Sequence, residues 1–328
     1  MSSLNVSRMC SQTLVAWFLC LVAAGSHAQL VRIEVHPVAS MTISDQDFLI
    51  GRKEGKAVTI AGELRIPRPG TDRLPAVVLV HGSGGVSGFV DDWSQQLNAM
   101  GAATFLLDSF TGRGIVSTGN DQSQLGRLAM IFDMYRVLEL LARHPRIDQA
   151  RIATMGFSRG GQAVLYSSLQ RFYSMHGPSG GLQFAAYIPF YPTCNTTFGG
   201  DGEPADKPIR IFHGSADDYV PVAPCRAYVE RLRKAGKDIQ LTEYADAHHV
   251  FDWPFLKNPV KLPQAQTTKR CSLEEASGGV IINSQTKQPF SYSDPCVERG
   301  ATIAYHPQAH SDSVKAVKDF VAVVLKPK

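Results

Sequence analysis

The chain has 328 residues, 44% hydrophobic and 19% charged, with a formal net charge of +4. This is enough chain and apolar content for a large core, and it excludes the hydrophobic poverty of a disordered protein and the heptad monotony of a coiled coil. The charge is small for the length and no dense Lys/Arg run with interleaved aromatics occurs, so the expected partner is a small or weakly polar molecule, with no nucleic acid.

The first residues read as a targeting segment. Arg8 precedes an apolar stretch over 14–24, and Ser26 and Ala28 supply the small residues of a cleavage site. The stretch is short for a membrane span. The expectation is a signal peptide over 1–28, removed after Ala28, and a mature chain over 29–328 exported to the periplasm or the medium with no stable membrane association. Neither Cys10 nor Cys20 follows the small residue that a lipoprotein signal needs.

In the mature chain, residues 57–66 read as a β-region and 67–74 as a turn-rich link. A continuous apolar run over 75–81 follows, and similar runs recur at 102–107, 151–155, 184–188 and 209–212. Unbroken runs of this kind suit strands buried on both faces of a parallel sheet. Between them, Leu128, Ile131, Phe132, Tyr135, Leu138 and Ala142 recur at helical spacing, and 161–170 also reads as helix. A helix over 226–234, a strand over 239–244 and a last helix over 311–325 continue the alternation. The prediction is an α/β chain: one domain with a mostly parallel central sheet and helices on both faces. Residues 254–300, rich in Pro, Gln, Ser, Thr and Lys, show no strong period and read as an irregular excursion from that domain.

Export changes the meaning of the cysteines. Removal of Cys10 and Cys20 leaves Cys194, Cys225, Cys271 and Cys296, an even set in an oxidising compartment. Of the three connectivities, Cys194 with Cys225 and Cys271 with Cys296 closes the shorter loop in each region. No C-x-x-C or clustered Cys/His pattern marks a metal site, and no cofactor is expected.

Gly156-Phe157-Ser158-Arg159-Gly160 matches G-x-S-x-G between the strand at 151–155 and the helix at 161–170. A serine there sits on a tight strand-to-helix turn, where flanking residues larger than glycine collide with neighbouring backbone. Ser158 is the candidate nucleophile, and it needs a histidine base and an orienting acid. After the strand at 209–212 come Asp217 and Asp218; after the strand at 239–244 come His248 and His249. The residues alone leave each choice open. Asp108, Ser109 and Arg113, after another strand end, suit either substrate contact or loop-stabilising hydrogen bonds. His81 and His213 read as members of their turns. Metal binding by His248, His249 and Asp252 is disfavoured, because adjacent histidines point in different directions.

The order Ser, Asp, His after successive strands is that of α/β-hydrolases. The stretches 81–85, 108–114, 156–161, 214–221, 244–251 and 299–305 together resemble the dienelactone hydrolase family of that superfamily, across nearly all of 50–328 apart from the excursion. The resemblance implies an α/β-hydrolase fold. Its G-x-x-D-x-x-V-P pattern falls on Gly214, Asp217, Val220 and Pro221 and so implies Asp217 as the acid. The family's histidine, followed by one residue and phenylalanine, falls on His249, with Val250 and Phe251 behind it. Oxyanion donors are expected at the backbone N–H groups of Arg159 and Ser83, with Gly82 the alternative to Ser83. Dienelactone hydrolases proper carry a cysteine nucleophile where this chain has Ser158. The expectation is therefore an exported serine hydrolase acting on a small carboxylic ester through an acyl-enzyme. Its rivals are a thioesterase, peptidase or acyltransferase with the same triad, or a non-catalytic binding protein on the same fold.

Overall fold

The computed structural model describes residues 32–327. The expected signal peptide, its cleavage site, Cys10 and Cys20 lie outside the described residues.

In chain order the strands are β1 Arg32–Thr42, β2 Lys56–Ile66, β3 Leu74–Val80, β4 Ala103–Asp108, β5 Ile147–Phe157, β6 Tyr187–Phe190, β7 Thr196–Thr197, β8 Ile209–Gly214, β9 Ile239–Tyr244, β10 Val260–Thr267, β11 Leu273–Ala276, β12 Val280–Asn283 and β13 Glu298–Ile303. The helices are α1 Asp45–Leu49, α2 Gly88–Asn98, α3 Ala129–Arg143, α4 Arg159–Tyr166, α5 Gln170–His176, α6 Ala223–Lys234 and α7 Pro307–Leu325.

The central sheet has eight strands in the order β1-β2-β4-β3-β5-β6-β8-β9. Its first two pairings, β1 with β2 and β2 with β4, are antiparallel, and all the rest are parallel. β3 lies inside it with every residue buried, which is why its sequence is an unbroken apolar run. The two-residue pleat divides that run between two cores. Ala76, Val78 and Val80 belong to the core shared with α3, α4 and α6, while Val77 and Leu79 belong to the core shared with α2 and α7. On the second face, α7 buries Ala309, Ser313, Val317, Val321 and Leu325 at helical spacing. This is the α/β-hydrolase fold expected from the sequence.

Four local expectations change. The helix expected over 161–170 ends at Tyr166 and resumes at Gln170. Ser167 and Ser168 turn their hydroxyls back onto the carbonyls of Val164 and Leu165, and Leu169 is extended. The strand expected at 184–188 sits later, at Tyr187–Phe190, with Pro189 inside it opposite Gly156. β1 is an additional edge strand: Ile33, Val35, Pro37, Ala39 and Met41 alternate with mostly polar residues, but that alternating set is turned largely to solvent while Val38 and Ser40 are buried. The excursion over 254–300 is not irregular: β10 pairs with β13, and β11 is flanked by β12 and β7. Its strands are short and largely half-exposed, so neither face imposes a hydrophobic period on the sequence.

Disulfides join Cys194 to Cys225 and Cys271 to Cys296. The first ties the loop after β6 to α6, and the second closes the small sheets of the excursion. No helix among the described residues is long and apolar enough to cross a membrane.

One buried ion pair anchors the loop after β4. Arg113 donates two parallel hydrogen bonds of 2.8 Å to Asp133 on α3, and others to the carbonyls of Ser109 and Met41. The two side chains are only 3% and 0% exposed. Removing one partner strands the other charge in the interior, so Asp133→Ala is expected to cost about 3–5 kcal/mol of folding stability, read as a fall in the urea midpoint at unchanged slope.

Candidate active site

β5 runs straight into α4, and Ser158 occupies the single residue between them at φ 54° and ψ −115°. A non-glycine residue in this region carries strain of about 1–3 kcal/mol, which only surrounding contacts can hold. Those contacts are backbone on backbone. A Cβ at Gly160 would lie 2.3 Å from the Val80 carbonyl oxygen, and one at Gly156 would lie 2.5 Å from that of Gly160. The glycines let α4 press against β3, and the Ser158 N–H is held by the Phe190 carbonyl at 3.0 Å.

Asp217 follows β8 and His249 follows β9, so both reach the edge of the sheet where Ser158 stands, at the carboxyl ends of the parallel strands. Their loops are locked together at Gly214, where a Cβ would meet the Ala247 carbonyl oxygen at 2.1 Å. His249 Nε2 lies 2.9 Å from Ser158 Oγ, and His249 Nδ1 lies 2.6 Å from Asp217 Oδ2. The other oxygen of Asp217 accepts the N–H groups of Tyr219 and Val220 at 2.9 and 2.8 Å. Asp217 is 6% exposed. Burial alone would raise its pKa, but the charge and hydrogen bond of His249, with His213 3.4 Å away, outweigh burial and hold it well below the usual carboxylate range.

The neighbouring candidates go elsewhere. Asp218 accepts the N–H and hydroxyl of Thr302 on β13 at 2.7 and 2.9 Å. His248 makes no hydrogen bond to Ser158 or Asp217. His213 bonds the Val220 carbonyl at 2.8 Å. His81 is buried, receives the Ser109 N–H on Nε2, and has its pKa lowered chiefly by burial. Asp108 caps its own loop by accepting the N–H groups of Phe110 and Thr111; with Ser109 and Arg113 it stabilises that loop, and none of the three borders the cleft. Asp252 accepts Trp93 Nε1 at 2.7 Å and the Tyr191 hydroxyl at 2.8 Å, and burial pushes its pKa up. Among the described residues, the one cluster with metal-ligand spacing is Glu34, His36 and His144 on β1 and at the end of α3; none of them borders the cleft.

Several contributors escaped the sequence reading. His249 is packed between the rings of Tyr191 and Tyr219, with centroids 4.6 and 4.9 Å away. Tyr191 lies at φ 35° and Val250, next to His249, at φ 62°. A strained residue thus packs on the imidazole and another follows His249 in the chain. The position of Tyr191 just after a parallel strand was a signal available in the sequence. Burial pushes the Tyr219 phenol up to about 12.

Ser158 lies in a cleft of about 50 Å³ that is also bordered by Ser83 and Arg159. No protein acceptor is bonded to the backbone N–H of Ser83 or Arg159 among the described residues. The Arg159 side chain turns away and is buried, with Nη1 on Gln122 Oε1 at 2.7 Å and Nη2 on the Leu125 carbonyl. Gln122 also donates to Ser83 Oγ at 3.0 Å and, from its backbone, to Gln266 Oε1 at 2.8 Å. The excursion lines part of the cleft with Gln266, Thr267, Lys269 and Tyr292, and its last strand pairs with His249 through Ile303.

Comparison with known proteins bears on the family and the fold. The model of the dienelactone hydrolase family matches residues 62–259, a span that contains Ser83, Ser158, Asp217 and His249 and stops before β10, so the segment 299–305 lies beyond it. No curated protein matches the chain. Among solved structures, a protein assigned as a dienelactone hydrolase from Klebsiella pneumoniae subsp. pneumoniae is 15% identical, with a TM-score of 0.58 over 89% of this chain and 99% of that one. A dienelactone hydrolase-like promiscuous phosphotriesterase from metagenomic libraries is 16% identical, with a TM-score of 0.57 over 90% of this chain and 99% of that one. At such identities the likeness establishes the fold. The family match spans more than half of the sequence, and by it the chain belongs to the dienelactone hydrolase family, hydrolases of ester bonds within the α/β-hydrolase superfamily.

Proposed function

We propose that the protein is an exported serine hydrolase that cleaves a small carboxylic ester through an acyl-enzyme. The observation that carries this reading is the unbroken hydrogen-bonded line from Asp217 through His249 to Ser158 Oγ at the elbow. Ser158 Oγ attacks the ester carbonyl while His249 Nε2 takes its proton, and Asp217 fixes the Nδ1–H tautomer and stabilises the imidazolium. The carbonyl oxygen, now negative, is received by the N–H groups of Arg159 and Ser83. His249 returns the proton to the departing alcohol. Water, deprotonated by the same imidazole, then releases the acid and restores Ser158.

Export is supported by the apolar stretch over 14–24 and by two disulfides in the described residues. A serine at position 158, where dienelactone hydrolases proper carry cysteine, favours oxygen esters of general type over the reaction that names the family. Thioester, amide and acyl-transfer chemistry need the same three residues, and hydroxylamine or alcohols offered beside water separate transfer from hydrolysis.

Ser158→Ala is expected to lower kcat on p-nitrophenyl acetate by about 10⁴-fold or more and to abolish labelling by a fluorophosphonate, with the circular dichroism spectrum unchanged. Full activity in that variant would refute the mechanism. Asp217→Asn should lose about 10³- to 10⁴-fold in kcat, because the imidazole is freed to adopt the wrong tautomer. Asp218→Asn should leave turnover essentially as it is.

The depressed pKa of Asp217 also sets a direction for stability. A carboxylate held below its unfolded value near 3.9 stabilises the fold at higher pH and loses that contribution as pH falls through its folded value. The stability advantage of the wild type over Asp217→Asn should therefore be full above about pH 5 and shrink steadily below about pH 4, measured by urea unfolding across that range.

A further inference from the structure

The catalytic cleft is too small for the whole of an ordinary ligand. Its free space of about 50 Å³ admits only a few atoms around the scissile bond, whereas sites that enclose organic ligands run to several hundred Å³. The rest of a substrate must then lie outside this narrow part, either toward solvent or in a neighbouring cavity. Directly beside the cleft lies a second cavity of about 340 Å³, and the two have Arg127 and Tyr292 in common as walls.

This second chamber is of a different character. Leu128, Phe198, Leu273, Ile281 and Phe290 line it, and Asp45 and Gln46 stand among its few charged or amide groups. Predominantly apolar walls with a few polar groups are the usual make-up of a ligand site. The chamber is also preformed. Leu273 donates its N–H to the Asn195 carbonyl at 2.9 Å, Asn195 Nδ2 donates to the carbonyls of Thr268 and Cys271, and the Cys271–Cys296 disulfide closes the same unit. Asn195 itself borders the catalytic cleft. One braced frame therefore borders both the cleft and the chamber.

The wall between the two cavities is polar and incompletely satisfied. Arg127 Nε donates to the Tyr292 hydroxyl at 2.7 Å, and the guanidinium lies over the rings of Tyr292 and Phe290 at 5.3 and 5.6 Å. Arg127 Nη1 is buried without a hydrogen-bond partner, as is Gln162 Nε2 on the cleft side. Buried donors without acceptors are costly, and a bound acceptor relieves that cost.

We infer that the apolar chamber behind Arg127 and Tyr292 is the subsite for the larger apolar group of the ester, a medium alkyl chain or an aryl ring, which enters from the catalytic cleft across this pair. The walls at 273–292 lie outside the stretch that matches the family, so the excursion gives this chain its own substrate preference. The inference rests on the ester-hydrolase reading above.

The test compares p-nitrophenyl acetate with p-nitrophenyl octanoate, which places the chain on the acyl side, and with octyl acetate, which places it on the alcohol side. Methyl and octyl fluorophosphonates serve as labels that depend only on the Ser158 nucleophile. The wild type is expected to prefer one of the two eight-carbon esters over its short counterpart by about tenfold or more in kcat/KM, and to label faster with the octyl phosphonate. Ile281→Trp, at a partly buried wall position, should cut that preference by about tenfold. Val280→Trp on the same strand serves as the second filling variant, should Ile281→Trp not fold. Equal rates for short and long substrates in the wild type, or a long-chain preference that survives both variants in folded protein, would overturn the inference while leaving the hydrolase reading intact. Failure of every phosphonate to label Ser158 would overturn the hydrolase reading, and the inference with it.

Discussion

Everything in the site hangs on the closeness with which α4 is pressed against the sheet. Gly156, Gly160 and Gly161 each leave no room for a Cβ, with carbonyl oxygens of Val80, Gly160 and Phe190 standing 2.3–2.5 Å from where one would be. That backbone-to-backbone packing forces the one residue in the turn to positive φ and lifts its side chain clear of the sheet edge. The strain at Ser158 is thus maintained by burial of the strands and helix on either side, and the serine side chain is presented by rigid elements rather than by a flexible loop.

A second contact of the same kind carries the other two residues. Gly214 against the Ala247 carbonyl brings the loop after β8 into register with the loop after β9, and the Ala216 and Ser215 N–H groups bond across to Ala247 and Tyr244. With the loops joined, Asp217 is left buried and fully bonded, while Asp218 points outward to Thr302. Tyr191 and Tyr219 then fill the space on the two sides of the imidazole. Tyr191 is itself held by Asp252, whose other oxygen takes the Trp93 indole, so a buried polar chain links α2 to the ring that packs on His249. The same loop is braced from outside, since β13 meets His249 at Ile303 and Ala304 donates to the His249 carbonyl.

The excursion is where local sequence reading was weakest. Strands such as β10 and β12 are exposed or half-exposed along most of their length, and Pro263 interrupts the first. Without a face turned to a large core, no period of two arises in the residues, and the segment resembles a loop. Yet Gln266, Thr267, Lys269 and Tyr292 from this segment border the cleft, and Leu273, Ile281 and Phe290 build the chamber beside it. Its contribution comes from side chains brought together over long separations, braced by Cys271–Cys296 and by pairing with β7.

By itself the sequence determined the parallel sheet, the serine at the strand-to-helix turn and the loops that carry the candidate acid and base, because buried strands and tight turns write their constraints into neighbouring residues. It also narrowed the acid and base to two adjacent pairs, and family resemblance chose within them. Only the tertiary structure decided what Asp218 does instead, which tyrosines pack on the imidazole, and that the excursion borders both the cleft at Ser158 and an apolar chamber beside it. These depend on the directions of side chains from segments far apart in the chain, and neither spacing nor hydrophobic period carries that information.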